Sequence, residues 1–528
     1  MVTEPASAPL PPVLRPENPP RRSLAELVER FGLEVRGDVD GVFARGITLA
    51  TADLRAGEVF VGIHGARRHG AEFAQTAADQ GAVAILTDGA GAERAAVSGL
   101  PVLIAEDPRA ALGDISAWLY GTDHDMPQLF AVTGTNGKTS TSHVLEGILH
   151  QLGVASGLSS TAERHIAGQS IVSRLTTPES SEMHALLALM RERKVEAVAV
   201  EVSAQALSRH RVDGIVFDVA GFTNLTHDHL DDYGDLETYL EAKLALFRPD
   251  RARRGVVCVD TPSGWEVVRR SEVPLVTVGA PQLATDPDAA ADADWIVHIV
   301  DEDQRGTTFT VRAPDGAEVT TTIPVIGAHM AANAGLAIAM LVEGGYPFDR
   351  IAAALVRDGR VDAVLPGRTE LVSGASGPAV YVDFSHTPDA FEKTLAAVRK
   401  VTPGRVIMMF GASGNRDTLK RPVMGRVAAE GADIVIVTDH HPRYEEPAPI
   451  RAALLEGARS AASDAEILEV AAPEEAIRTA VRMVGDGDAI LWAGPGHQDY
   501  REIDGVRTPF SARSLARAAL QDAGWPVP

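Results

Sequence analysis

The chain has 528 residues, too many for one ordinary domain, and three or four are expected at about 150 residues each. Lys and Arg total 49 against 72 Asp and Glu, a net charge of −23, which disfavours nucleic acid as a partner. One cysteine, Cys258, excludes an intramolecular disulfide and suits a reducing compartment, while no apolar run reaches the ~20 residues of a bilayer span.

The first 22 residues, rich in proline and without an apolar signal core, read as a disordered leader. A helix is predicted from "SLAELVERFGL", with Ser23 as its N-cap. The runs "EVFVGI", "AVAILTD" and "LPVLIAE", around a helical "GAEFAQTAADQG", predict a small α/β domain over 23–125. A second α/β block, 126–362, opens with an apolar run leading into "TGTNGKTST" and a helical pattern. In that strand–loop–helix context the glycines admit phosphate oxygens to backbone N–H groups, Lys138 supplies a cation to the β- and γ-phosphates, and the Thr139 hydroxyl can ligate Mg²⁺. Counted from Gly134, the loop is one residue shorter between its glycines than the common G-x-x-x-x-G-K spacing.

Glu201 ends the apolar run "AVAVE", and His229 follows the next such run; both belong at the carboxyl edge of a parallel sheet, where ligands collect. Either is a metal or phosphate contact or a solvated loop group. Lys243 shares a helical face with Leu236, Leu240 and Phe247. It either snorkels to solvent or is desolvated, with a depressed pKa. A neutral amine could add CO₂ and become a carbamate able to bind Mg²⁺. From 363 to 528, strands such as "AVYVDF", "RVIMMFGA" and "ADIVIVTD" alternate with helical runs, predicting a parallel sheet covered by helices.

Taken together, "TGTNGKTST", "TTPES", "EVSAQALSRHRVDG", "FTNLTHDHLDDYGDLETYLEAKLALF", "GRTELV", "VDFSHTPDA", "RPVMGRVA" and "GPGHQ" resemble the motifs of the Mur ligase family of ATP-dependent amide-forming enzymes. The resemblance covers nearly all of the chain after the leader. It implies an α/β protein of three domains: an N-terminal UDP-binding domain, a central P-loop ATPase with a mostly parallel sheet, and a C-terminal Rossmann-like domain that binds an amino acid. It further implies that ATP activates the γ-carboxylate of UDP-MurNAc-L-Ala-D-Glu as an acyl phosphate, which the amine of a free amino acid captures. On this resemblance Gly134, Thr135, Asn136, Gly137, Lys138, Thr139, Ser140, Asn333, Arg368, Asp383 and His386 bind ATP. Thr51, Thr176, Thr177, Ser203 and Arg211 hold the nucleotide-linked dipeptide. Lys138, Lys243, Glu201 and His229 carry the catalysis, with Thr139, Glu201, His229 and an N6-carboxylated Lys243 as the Mg²⁺ set. A cytoplasmic monomer with no membrane insertion is expected.

The departures concern specificity. Where the family carries Asp-Ser-Arg near the uridine, this chain has Ala50-Thr51-Ala52. Members that add meso-diaminopimelate carry Asp-Asn-Pro-Arg and Gly-Lys-Gly-His-Glu; here the stretches are His440-His441-Pro442-Arg443 and Gly494-Pro495-Gly496-His497-Gln498. Arg443 can still grip a carboxylate, but Gln498 replaces the carboxylate that would meet an ammonium. Asp499, Glu445 and Glu446 are candidate substitutes for it. A different third residue is expected, such as L-lysine, L-ornithine, L-diaminobutyrate or L-homoserine, with neutral drift around a diaminopimelate pocket as the alternative. A folate-glutamating ligase of the same superfamily and a non-synthetic P-loop switch are the remaining competitors.

Overall fold

The computed structural model describes residues 11–65 and 68–527. Among them three large sheets form, each with its own apolar core, and the chain is a three-domain α/β protein. The first sheet has five strands in the order Glu34–Arg36, Val102–Ile104, Ala84–Thr87, Glu58–Gly62 and Gly46–Thr48, parallel except for the first pair. The helix Leu24–Phe31 starts where foreseen, because the Ser23 hydroxyl accepts the Glu26 N–H, and it ends at Gly32 in the left-handed conformation.

The central sheet has eleven strands. Its middle is parallel: Ser156–Ser159, Ala197–Glu201, Gln128–Thr133, Val219–Phe222, Gly255–Cys258 and Leu275–Gly279 lie side by side in that order. Alternate residues feed different cores, Phe130 and Val132 on one face, Leu129 and Ala131 on the other. Burial on both faces explains why these strands read as continuous apolar runs. Antiparallel hairpins extend both ends, Glu163–Ile166 with Gln169–Val172 and Trp295–Asp303 with Gly306–Arg312. Strand–helix alternation does not announce them. The third sheet orders Glu370–Leu371, Ala379–Asp383, Ala489–Ala493, Val406–Phe410, Ile434–Val437 and Glu466–Glu469, parallel after the first pair.

The leader expectation needs correction. Residues 1–10 lie outside the described residues, but Pro11 to Arg22 pack on the protein. Val13 is buried, Arg15 is ion-paired with Glu58 at 2.6 Å, and Arg22 and Ser23 pair with Ala44 and Phe43. Proline enrichment excludes helix and sheet interior but not an extended segment whose side chains find partners.

Candidate active site

The strand Gln128–Thr133 and the helix Lys138–Gln151 are joined by a loop that only glycine can close. Gly134 has φ 144°, and a Cβ there would sit 1.9 Å from Thr223 Oγ1; Gly137 has φ 88°, and its Cβ would meet Asn333 Oδ1 at 2.6 Å. The loop is held from the neighbouring strand: Thr223 Oγ1 donates to the Asn136 carbonyl at 2.6 Å, and the Asn136 N–H donates to Asn224 Oδ1 at 3.0 Å. Lys138 Nζ caps the carbonyls of Gly134 and Thr135 at 3.0 and 2.8 Å. Burial lowers its pKa, which Glu201 and Asp228 partly restore. The helix N-terminus and this ammonium form an anion cradle.

Glu201, at the end of the next strand, is 2% exposed. It accepts Thr139 Oγ1 at 3.0 Å and the Thr161 N–H at 2.8 Å. Arg368 Nη2 donates to the same Thr139 hydroxyl at 2.8 Å from across the domain boundary. A carboxylate and a hydroxyl with room for phosphate oxygens and water suit a hard divalent cation, so Thr139 and Glu201 fit Mg²⁺. No three His, Cys, Asp or Glu side chains converge as a metal-holding group among the described residues, so a full protein cage is not preformed.

Lys243 does not snorkel. It is 1% exposed, donates to the Gly134 carbonyl at 2.8 Å and lies 4.2 Å from the centre of the Tyr239 ring. Burial and the nearby Lys138 hold its pKa well below the ordinary lysine value, against the pull of Asp228. As an ammonium Lys243 does not fit a metal; as a carbamate it would. His229 stands in the left-handed conformation with Nε2 3.4 Å from Asp228 Oδ2, and burial lowers its pKa too.

These groups open into one cleft of about 470 Å³ between the central and C-terminal domains. The phosphate loop, Glu201, His229 and Lys243 form one wall, and His386, His440, His441, Arg443, Gly494 and Gln498 face them.

The Mur ligase middle domain matches residues 132–341, and the Mur ligase glutamate ligase domain matches residues 367–496. The UDP-N-acetylmuramyl-tripeptide synthetase of Leifsonia xyli subsp. xyli is 55% identical over 519 residues, covering 98% of this chain and 100% of that protein. The chain belongs to the Mur ligase family. The UDP-N-acetylmuramoyl-L-alanyl-D-glutamate–2,6-diaminopimelate ligase of Streptomyces coelicolor is 41% identical over 505 residues, 94% of this chain and 96% of its own. Among solved structures, Acinetobacter baumannii MurF aligns with a TM-score of 0.68 at 16% identity, over 96% of this chain and 99% of that one, a likeness of fold.

In this Mur ligase most of the expected residues converge. Thr176, Ser203 and Arg211 also line the cleft. Thr176 accepts from Thr161 Oγ1 at 3.0 Å, Ser203 caps the helix Ala204–Ser208, and Arg211 is paired with Glu179 at 2.9 Å. Five expected residues do not line it: Thr51, Ser140, Thr177, Asn333 and Asp383. Thr177 bonds the Glu201 carbonyl at 2.8 Å, so it braces that strand end. Asp383 accepts the Thr369 and Ser385 N–H groups, each at 2.6 Å, fixing the segment that carries Arg368. Asn333 backs Gly137, Ser140 is buried in the helix's first turn, and Thr51 lies in the first domain, at the start of the short helix Thr51–Asp53.

The substitute acids are a further correction. Glu445 is paired with Arg421 at 3.0 Å and Asp499 with Arg513 at 3.0 Å, and neither they nor Glu446 reach the cleft. The two departures His441 and Gln498 instead bind each other. His441 Nδ1 accepts the Glu502 N–H at 2.9 Å, so Nε2 carries the proton that meets Gln498 Oε1 at 2.8 Å. Burial brings His441 down to about 4, keeping the pair neutral. Several cleft residues escaped the sequence reading: Thr161, Asp228, Arg416, Asp417 and Lys420. Asp228 stood within a noted motif, but only packing shows that it, beside His229, meets Lys420 from the other domain at 3.3 Å.

Proposed function

We propose that this Mur ligase adds the third residue to UDP-MurNAc-L-Ala-D-Glu, using ATP to activate the D-glutamyl γ-carboxylate. The supporting observation is one cleft in which a phosphate loop with Lys138, Thr139 and Glu201 faces the amine-end residues of the last domain. The Leifsonia relative's name, a tripeptide synthetase, agrees. The γ-carboxylate attacks the γ-phosphorus, ADP leaves, and the incoming amine displaces phosphate from the acyl phosphate to leave an amide. Mg²⁺ on Thr139 and Glu201, with His229 and a carbamylated Lys243 as further ligands, would neutralise phosphate charge. Lys138 and Arg368 add fixed positive charge where the transferring phosphoryl group lies. The segment Thr176–Thr177, with Ser203 and Arg211, holds the acceptor dipeptide, and closure of the domains aligns amine and carboxyl.

For the amino acid, the neutral His441–Gln498 pair supports a residue other than meso-diaminopimelate, with L-lysine or L-ornithine favoured and L-diaminobutyrate and L-homoserine in the same class. Arg443 takes a carboxylate, and Asp417, one of several carboxylates lining the cleft and a neighbour of His227, is our candidate for receiving an ammonium. The Streptomyces relative, named for 2,6-diaminopimelate at 41% identity, favours the second reading, the same reaction with that substrate. Phosphate release by purified enzyme, with UDP-MurNAc-L-Ala-D-Glu and each amino acid in turn, decides. We expect turnover with one of the favoured amino acids and little with diaminopimelate. Fast turnover with diaminopimelate alone rejects the preference, and no dependence on the nucleotide-linked dipeptide rejects the function.

A further inference from the structure

The two stretches assigned to the nucleotide-linked substrate sit on different domains, Thr51 on the first and Thr176–Thr177 on the second. A direct bridge joins them. Asp53, two residues after Thr51, accepts both ends of the Arg174 guanidinium, two residues before Thr176, at 2.7 and 2.9 Å. Both side chains are mostly buried, and paired parallel bonds fix orientation as well as distance. The Pro-rich N-terminal segment closes over this bridge. The Pro11 carbonyl accepts Arg174 Nε. Arg15, 6% exposed, donates to Glu58 at 2.6 Å and to the Asp53 carbonyl at 2.8 Å. Farther along, the Glu17 and Asn18 N–H groups bind the Glu192 carboxylate of the central domain at 2.7 and 2.8 Å. The segment is thus tied to the first domain through Arg15 and to the second through Pro11, Glu17 and Asn18.

We propose that Asp53 and Arg174, held by Arg15 and the strap Pro11–Asn18, are positioning residues that set the spacing between the nucleotide end and the dipeptide end of the substrate site. The proposal rests on the substrate assignment made above. A long, flexible ligand gains from both ends only when the two half-sites stand at the right separation, since the second contact is then intramolecular. ATP, assigned to the phosphate loop and Arg368, draws on no residue of the first domain.

Steady-state kinetics of full-length Arg174→Ala, Asp53→Ala and Arg15→Ala enzymes test this. We expect the KM for UDP-MurNAc-L-Ala-D-Glu to rise at least about tenfold, the scale of one charge-assisted bond, with the KM for ATP and saturating kcat within about twofold of wild type. Arg174→Lys, which keeps the charge but loses the fork, should fall between, and the swap Asp53→Arg with Arg174→Asp should recover part of the loss. Because an alanine variant can fail to fold, melting temperatures accompany the kinetics, and Arg174→Lys and the swap carry the test in that case. An unchanged KM for the nucleotide-linked substrate, or an equal rise in the KM for ATP, overturns the proposal. A wild-type enzyme that does not turn over this substrate overturns the functional reading instead.

Discussion

Lys243 shows how little a residue type says without its surroundings. Its helical position left snorkelling open, yet the ammonium lies 2.8 Å from the Gly134 carbonyl and is 1% exposed. Desolvation destabilises the charged form, so the neutral amine that reacts with CO₂ is populated at lower pH than for a surface lysine. Lys243→Ala should lower kcat by roughly 10²–10³-fold, the range for removing one preorganised charge-stabilising group. Excess bicarbonate should not restore activity, because alanine offers no amine. Turnover close to wild type in that variant would remove Lys243 from the chemistry. Intact-mass spectra of the native enzyme in bicarbonate buffer would detect the carbamate.

At the scale of elements, the phosphate loop depends on a hairpin that the sequence did not advertise. The turn between the antiparallel strands Ser156–Ser159 and Glu163–Ile166 supplies the Thr161 N–H to Glu201, and the second of these strands is fastened to the loop's own helix through His165. The ring nitrogens of His165 meet Glu146 at 2.6 Å and Glu163 at 2.9 Å. Burial opposes charging this imidazole, but the two carboxylates outweigh it and push its pKa up to about 9. A raised pKa means the folded state binds the proton more tightly. The stabilisation is therefore fully present below the unfolded value of about 6.5 and disappears as pH rises through about 9. His165→Gln should lower the melting temperature of the domain by roughly 2–4 °C at pH 6, and the difference should close by about pH 9.5. Calorimetric scans of both proteins across that range check it, and a pH-independent gap would show that the ion triad is not the cause.

Across the whole molecule, the active site exists only as a seam. Asp228 of the central domain meets Lys420 of the C-terminal domain at 3.3 Å, with side chains 8% and 10% exposed. His227 and Asp417 make a second contact at 3.4 Å along the same seam, and Asn136 donates to Asp389 at 3.0 Å. Burial raises the pKa of the Asp228 carboxyl, but Lys420, His386 and His229 together hold it below the usual range. Removing one partner of such a pair strands a buried charge. Lys420→Met should therefore reduce kcat about tenfold or more while leaving MgADP affinity near wild type, because the cation registers the C-terminal wall of the cleft on the phosphate-loop wall. In a double variant with Asp228→Asn the losses should not add, the signature of contacting residues. Isothermal titration with MgADP and single-turnover kinetics separate the two quantities, and additive losses would place the residues in unrelated roles.

Local chemistry in the chain by itself determined the phosphate loop, the strand end bearing Glu201, the turn bearing His229, and the three-block α/β order. Glycine geometry, apolar runs and helix caps act over a few residues, so they are written in a few residues. The same local signals misjudged the Pro-rich start, since composition reports what a segment cannot form but not which partners await it. Tertiary structure alone decided that Lys243 is sealed from water, that His441 and Gln498 bond to each other, and that Arg174 and Lys420 join domains. Each of those outcomes is a contact between residues tens to hundreds of positions apart, and such contacts follow from packing rather than from the pattern of neighbours along the chain.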